Sequence, residues 1–143
     1  KIIAIDFDGT IVKDEYPKIG ATQLFAFETM KKMQQQGYRL ILCTLRDGKK
    51  LKDAVDFCLE NGIEFYAVNK NYPEEELNNT TIRKIHADIF IDDRNIGGFI
   101  GWGQIHQIIF NFLITNLTIN KNQTIVSNLV GQKHGITLHS DAN

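Results

Sequence analysis

The side chains best suited to joint chemistry are four carboxylates in two short runs: Asp6 and Asp8 near the amino terminus, and Asp92-Asp93 far downstream. Asp6-Phe7-Asp8-Gly9-Thr10 follows Ile2 to Ile5, a continuous apolar run of the kind found in a central strand buried on both faces. Residues i and i+2 at a strand end point to the same side, so Asp6 and Asp8 can face one site while Phe7 turns toward packing. An Asp-x-Asp-Gly sequence can also serve only to start a turn. Here it is accompanied by three further polar signals, Thr44, Lys84 and Asp92-Asp93, each at the end of a predicted strand or just before one.

The elements that would position these residues follow from periodicity. Residues 13–21 read as a loop broken by Pro17 and Gly20. A helix is expected over 22–36, with Thr22 as N-cap and Leu24, Phe27, Met30 and Met33 on its inner side. Tyr38 to Thr44 reads as a second buried strand ending in a hydroxyl. A second helix, from Gly48 to Asn61, carries Leu51, Ala54, Val55, Cys58 and Leu59 on its apolar face. Phe65 to Val68 is a third strand and Ile89 to Ile91 a fourth, separated by an irregular stretch in which Thr80 or Thr81 caps a short helix bearing Arg83 and Lys84. A last helix is expected over 103–114.

Strands alternating with helices predict an α/β fold with a doubly wound parallel sheet. The carboxyl ends of parallel strands share one edge, where ligands bind. Asp6, Asp8, Thr44, Asp92 and Asp93 would gather there. Carboxylates so placed repel by roughly 4 kcal/mol per pair at 4 Å and intermediate dielectric, so a cation must compensate. Hard oxygen ligands without His or Cys suit Mg²⁺, which keeps waters and takes a substrate phosphate as a further ligand.

With 143 residues, 16 basic and 17 acidic side chains, the chain is long enough for one cored domain and nearly neutral. That balance gives no sign of a nucleic-acid or membrane-surface protein, and no apolar run is long enough to span a bilayer. The amino terminus leads directly into the predicted buried strand, so no signal peptide is expected. A cytoplasmic location is therefore expected, with Cys43 and Cys58 as buried free thiols. Residues 115–143 are rich in Asn, Thr and Gln and form a carboxyl-terminal extension, whose His134 and His139 lack partners at usable metal spacing.

In order and strand-end placement, Asp6-Phe7-Asp8-Gly9-Thr10, Thr44, Lys84 and Asp92-Asp93 resemble the four motifs of the haloacid dehalogenase (HAD) superfamily. The likeness spans residues 1–114 and is greatest to small capless phosphatase-like hydrolases. It implies a Rossmann-like core and a phosphoester hydrolase in which Asp6 is the nucleophile, forming an aspartyl-phosphate, while Asp8 protonates the leaving oxygen. It implies Mg²⁺ held by Asp6, the backbone carbonyl of Asp8 and Asp92, with Asp93 supporting it from behind those ligands or through water. Thr44 and Lys84 would hold the phosphoryl oxygens, with Lys70 as the rival lysine. Arg46 and Arg94 would clasp substrate or else pair with neighbouring carboxylates. Gly9 and Thr10 would donate to the phosphate or only shape the turn.

Superfamily members commonly select substrate with an inserted cap. Here 12–21 and 69–80 offer room only for flaps, so an open site is expected. It would accept phosphorylated substrates up to nucleic-acid or protein ends, or be closed by a second subunit in a homo-oligomer. A receiver-like signalling domain uses similar groups, but phosphorylates an aspartate at the end of the third strand, where this chain has Asn69-Lys70. A non-catalytic phosphate-binding domain is the other alternative.

Overall fold

The computed structural model describes residues 1–76, 78 and 84–111. It shows an α/β Rossmann-like fold built on a four-stranded, wholly parallel sheet in the order β3-β2-β1-β4. The strands are β1 (Ile2–Ile5), β2 (Arg39–Leu42), β3 (Ala67–Val68) and β4 (Ile89–Ile91). Two helices, α1 (Ala26–Gln35) and α2 (Gly48–Glu60), connect the first three. The chain thus builds outward from β1 through β2 to β3, then returns to the opposite flank of β1 with β4. This reversal of direction opens a crevice at the carboxyl ends of β1 and β4.

Alternation along the strands separates the packing. Ile3 pairs with Leu40 and Ile5 with Leu42, and all four are at most 1% exposed. Ala4, Ile41 and Ala67 lie in register on the other face, where Ile85 covers them. α1 packs on β2 and buries Ala26, Phe27, Met30 and Met33. Phe57 of α2 meets Phe27 edge-on at 5.8 Å and also meets Phe7, just past β1, at 6.3 Å between centroids. Phe7 therefore anchors the exit of β1 from below, leaving Asp6 and Asp8 at the rim.

Several element boundaries differ from the sequence expectation. Thr22 caps no helix: it forms an antiparallel bridge with Val12, and Gln23 N–H donates to Ile11 O at 2.9 Å. The chain over 22–25 stays tied to the β1 exit, Phe25 adopts the left-handed region at φ 66°, and α1 starts only at Ala26. Leu24, expected on the inner face, is consequently exposed, as is Leu59 of α2. β3 is shorter than the predicted 65–68 strand. Residues 102–111 are helical, in line with the last helix expected, and the rest of that prediction lies outside the described residues. So do residues 80–83 and the 115–143 extension. The chain divides into two compact units, Lys1–Ile105 and His106–Asn143, and the expected boundary after residue 114 also falls outside the described residues. Among the described residues, no helix is long and apolar enough to cross a membrane.

Two features close the β1 exit. The limbs of the 11–23 loop approach so nearly that a Cβ on Gly20 would lie 2.1 Å from Lys13 O. Trp102, 1% exposed, donates from Nε1 to Thr10 O at 2.8 Å. Trp102→Phe keeps much of the apolar volume but leaves that buried carbonyl unpaired. It should lower unfolding free energy by about 1–3 kcal/mol in urea titrations. An unchanged midpoint would show that the hydrogen bond contributes nothing to the hold on this turn.

Candidate active site at the strand ends

β1 and β4 run in register with Ile5 beside Ile91, and the Asp6 N–H donates to Ile91 O at 3.0 Å. Each strand continues directly into its acidic pair. Asp6, Asp92 and Asp93 consequently each offer an oxygen within 4.8 Å of the others. Residues from opposite ends of the described chain thus meet as expected. Asp6 and Asp92 border an open cleft of about 620 Å³ that is also lined by Asp8, Thr44 and Arg94.

Electrostatics at this point are unfavourable to charge. The Asp6 carboxyl is pushed up from 3.8 to about 7, chiefly by burial; the Phe7 N–H opposes this, and Asp92, Asp93 and Asp8 add to it. Thr10 donates from Oγ1 to Asp6 Oδ2 at 3.4 Å. Asp93 is also pushed up, by burial first and by Asp92 next. Its Oδ1 is buried without a hydrogen-bond partner. Its Oδ2 lies against Gly9, where an added Cβ would fall 2.3 Å away and where φ is +81°. Gly9 is therefore required twice, for its backbone conformation and for the close approach of Asp93. Asp92 is oriented by its own turn, accepting at Oδ1 from the Arg94 N–H at 2.7 Å.

A buried carboxylate oxygen without a partner, together with three acidic side chains converging on one point, fits a hard divalent cation. Asp6, Asp92 and Asp93 would hold it. The Asp8 carboxylate is engaged elsewhere, so any part for Asp8 in metal binding falls to its backbone carbonyl. Cys43 at the cleft wall is a poor competitor, since burial first, then Asp6 and Asp92, push its thiol up. Both cysteines are free, and burial pushes the Cys58 thiol up to about 12.

Asp8 and Arg46 form the second feature. The guanidinium grips the carboxylate through Nε to Oδ2 at 2.8 Å and Nη2 to Oδ1 at 2.7 Å. It also donates to Pro17 O and Lys18 O. Of the two expectations for Arg46, substrate clasp or partner of a carboxylate, the second describes its place. Arg94 is exposed at the cleft edge and keeps the first. Thr44 is fixed by Asn69, whose side chain accepts from the Thr44 N–H at 2.8 Å and donates to Thr44 O at 2.9 Å. The Thr44 hydroxyl accepts from the Arg46 N–H, leaving its own proton free to donate.

Geometry decides between the two alternatives for Thr10 and corrects the expectation for Lys84. Thr10 is fully buried and its hydroxyl is directed at Asp6, so it shapes the turn and supports the acid rather than meeting a phosphate. Lys84 lies outside the cleft: it lines a separate hollow with Asn71, Glu75 and Phe90 on the flank of the sheet. Its rival Lys70 does not line the cleft either. Periodicity had no means to detect Asn69 as the clamp on Thr44. Its left-handed φ of 51°, a conformation that Asn tolerates, is the local signal.

A solved structure of a conserved protein from Bacteroides thetaiotaomicron is similar to this chain, with 51% identity and a TM-score of 0.72. The match covers 77% of this chain and 89% of that one. No protein-family model and no curated protein matches.

Two measurements probe the site. Mg²⁺ at a hundred times its Kd should stabilise the protein by about 2.7 kcal/mol, and Asp93→Asn should remove most of that gain in thermal melts with and without EDTA. In EDTA, the native state keeps the Asp6 proton up to about 7, whereas the unfolded chain releases it near 3.8. The folded state thus binds more protons across that window, and stability should fall as pH rises through it. Asp6→Asn should flatten this decline, making the variant more stabilising at pH 8 than at pH 5 in urea midpoints. Equal effects at both pH values would rule out a buried, titrating Asp6.

Proposed function

The chain belongs to the family of this conserved Bacteroides thetaiotaomicron protein, and from the chemistry of the cleft we propose a magnesium-dependent phosphoester hydrolase. The observation that carries the reading is the convergence of Asp6, Asp92 and Asp93, with an Asp93 oxygen buried and unpartnered. The motif order that resembles the HAD superfamily supports it further. When bound, Mg²⁺ would lower the repulsion between an anionic phosphate and the acids facing it.

The chain's own residues have distinct tasks in this reading. An Asp6 oxygen attacks phosphorus as the bond to the leaving oxygen breaks, giving an aspartyl-phosphate. Asp8, two residues on and at the cleft wall, gives the leaving oxygen its proton and later takes one from the hydrolytic water. Both Asp8 oxygens accept from Arg46, so one of those bonds must loosen as the proton moves. The Thr44 hydroxyl, held by Asn69, donates to a phosphoryl oxygen. Arg94 takes the charge-balancing role expected of Lys84. With no large insertion beside it, the cleft accepts bulky phosphoesters as readily as small ones.

One observation favours a second reading, phosphate binding without turnover: Lys84 lies away from the acids, so the cleft lacks the lysine that the resemblance would supply. A panel of phosphorylated metabolites and 5′-phosphorylated oligonucleotides, assayed for phosphate release in Mg²⁺ and in EDTA, distinguishes the two. Turnover that is lost in EDTA and falls at least about 10³-fold in Asp6→Asn supports the hydrolase. Arg94→Ala should raise KM about tenfold, the loss expected for one charge-assisted contact. Full turnover by Asp6→Asn would remove the nucleophile assignment, and phosphate binding without release would favour the second reading.

A further inference from the structure

Arg46 is 3% exposed, and its guanidinium meets five residues from two separate segments of the chain. Its guanidinium carbon lies 5.0 Å from the Phe7 ring centroid and 5.4 Å from that of Tyr16, so an aromatic ring flanks it on the core side and another on the loop side. In its plane, Nε and Nη2 hold the two Asp8 oxygens, while Nη1 and Nη2 reach Pro17 O at 3.1 Å and Lys18 O at 2.7 Å. One rigid group therefore joins the acid at the β1 exit to the 11–23 loop beside the cleft. Lysine carries a single donor centre and cannot bridge both.

We infer that Arg46 is a positioning residue: it sets the geometry of Asp8 for proton transfer to the leaving oxygen and locks the 14–18 loop against the cleft. The inference rests on the hydrolase reading for the first of these tasks and not for the second. Asp8 remains 18% exposed at its side chain, so the fork leaves it within reach of a substrate in the cleft. The same fork fixes where its proton is delivered. Loss of the guanidinium would free the carboxylate to rotate and would release two loop carbonyls together.

A proton donor matters most when the leaving oxygen is a poor leaving group, and this separates positioning from general damage. Steady-state kcat/KM, which reports the step in which the leaving oxygen departs and not the later hydrolysis, would be measured for wild type, Arg46→Lys and Asp8→Asn in Mg²⁺ over phosphate esters running from p-nitrophenyl phosphate to alkyl phosphates. Arg46→Lys should lose about a hundredfold on alkyl esters but less than about fivefold on p-nitrophenyl phosphate, following the Asp8→Asn pattern. A loss of equal size across all esters, or wild-type rates throughout, would overturn the positioning role. Amide hydrogen exchange supplies a second readout that needs no activity: residues 14–18 should exchange at least about tenfold faster in Arg46→Lys while α1 and α2 keep wild-type rates. Unchanged exchange in the loop would overturn the lock. Were wild type to hydrolyse no ester at all, the hydrolase reading and the proton-delivery task would fall together, and the exchange experiment would still decide the lock.

Discussion

Parallel pairing of β1 with β4 forces like charges together. Once Ile5 sits beside Ile91 and the Asp6 amide bonds Ile91 O, the next residue on each strand is an aspartate, and no rotamer choice carries them far apart. Repulsion between two such groups is roughly 4 kcal/mol at 4 Å and intermediate dielectric. Burying one large apolar side chain gains about 1.5–3 kcal/mol. Ile3, Ile5 and Phe7 beneath the pair are all fully buried, so a few core contacts outweigh the repulsion of one pair. The strain remains at the rim, as an Asp6 carboxyl that holds its proton toward neutrality and an Asp93 oxygen without a partner. Both are relieved by the same event, the arrival of positive charge.

Asp8 meets its charge in the opposite way. Only one residue separates it from Asp6, yet it is neutralised from within the fold by a guanidinium that is itself almost fully buried. Chain direction makes this difference. Asp6 still belongs to the β1–β4 ladder, whereas Asp8 lies past Phe7, where the chain turns toward the end of β2 and Arg46 follows Thr44. A strand exit with two acids thus has one facing two further acids, Asp92 and Asp93, and one already satisfied. Identical side chains acquire different behaviour only through different surroundings; in the proposed reaction Asp6 must shed its proton to attack, which positive charge beside it favours, and Asp8 must carry one while held by Arg46.

How much of this was legible in the sequence depends on whether a feature is local. The apolar runs of β1, β2 and β4, the α2 face around Ala54 and Cys58, and the acids that end β1 and β4 all come from neighbouring residues, and the sheet rules then bring the acids to one edge. The start of α1 was not legible, because Thr22 is a good cap by type but is held in a bridge by Val12, ten residues back along a loop that closes on itself. Arg46 presented two acceptable partners in sequence, substrate or carboxylate, and only distance chooses between them. Asn69 appeared as a loop residue because its function is a reciprocal pair of hydrogen bonds to the Thr44 backbone across the β2–β3 edge. Lys84 had the right type and order, but it precedes β4 and lines the flank of the sheet rather than the end that holds the acids.

The open cleft follows from the same economy of charge. Swinging the 11–23 loop away would strip Arg46 of two carbonyl acceptors and uncover its Tyr16 face, leaving a buried cation with unpaired donors. An unpaired buried donor costs about 1–3 kcal/mol, and more when the group is charged, so the anchored position is strongly favoured. Access must then come past the rest of the cleft lining, where Leu45 is 87% exposed and Arg94 is exposed as well. A ligand entering there would meet Leu45 and the Arg94 guanidinium beside the acids. Under the proposed hydrolase reading, such a rim would suit an anionic group carried on a body that tolerates apolar contact.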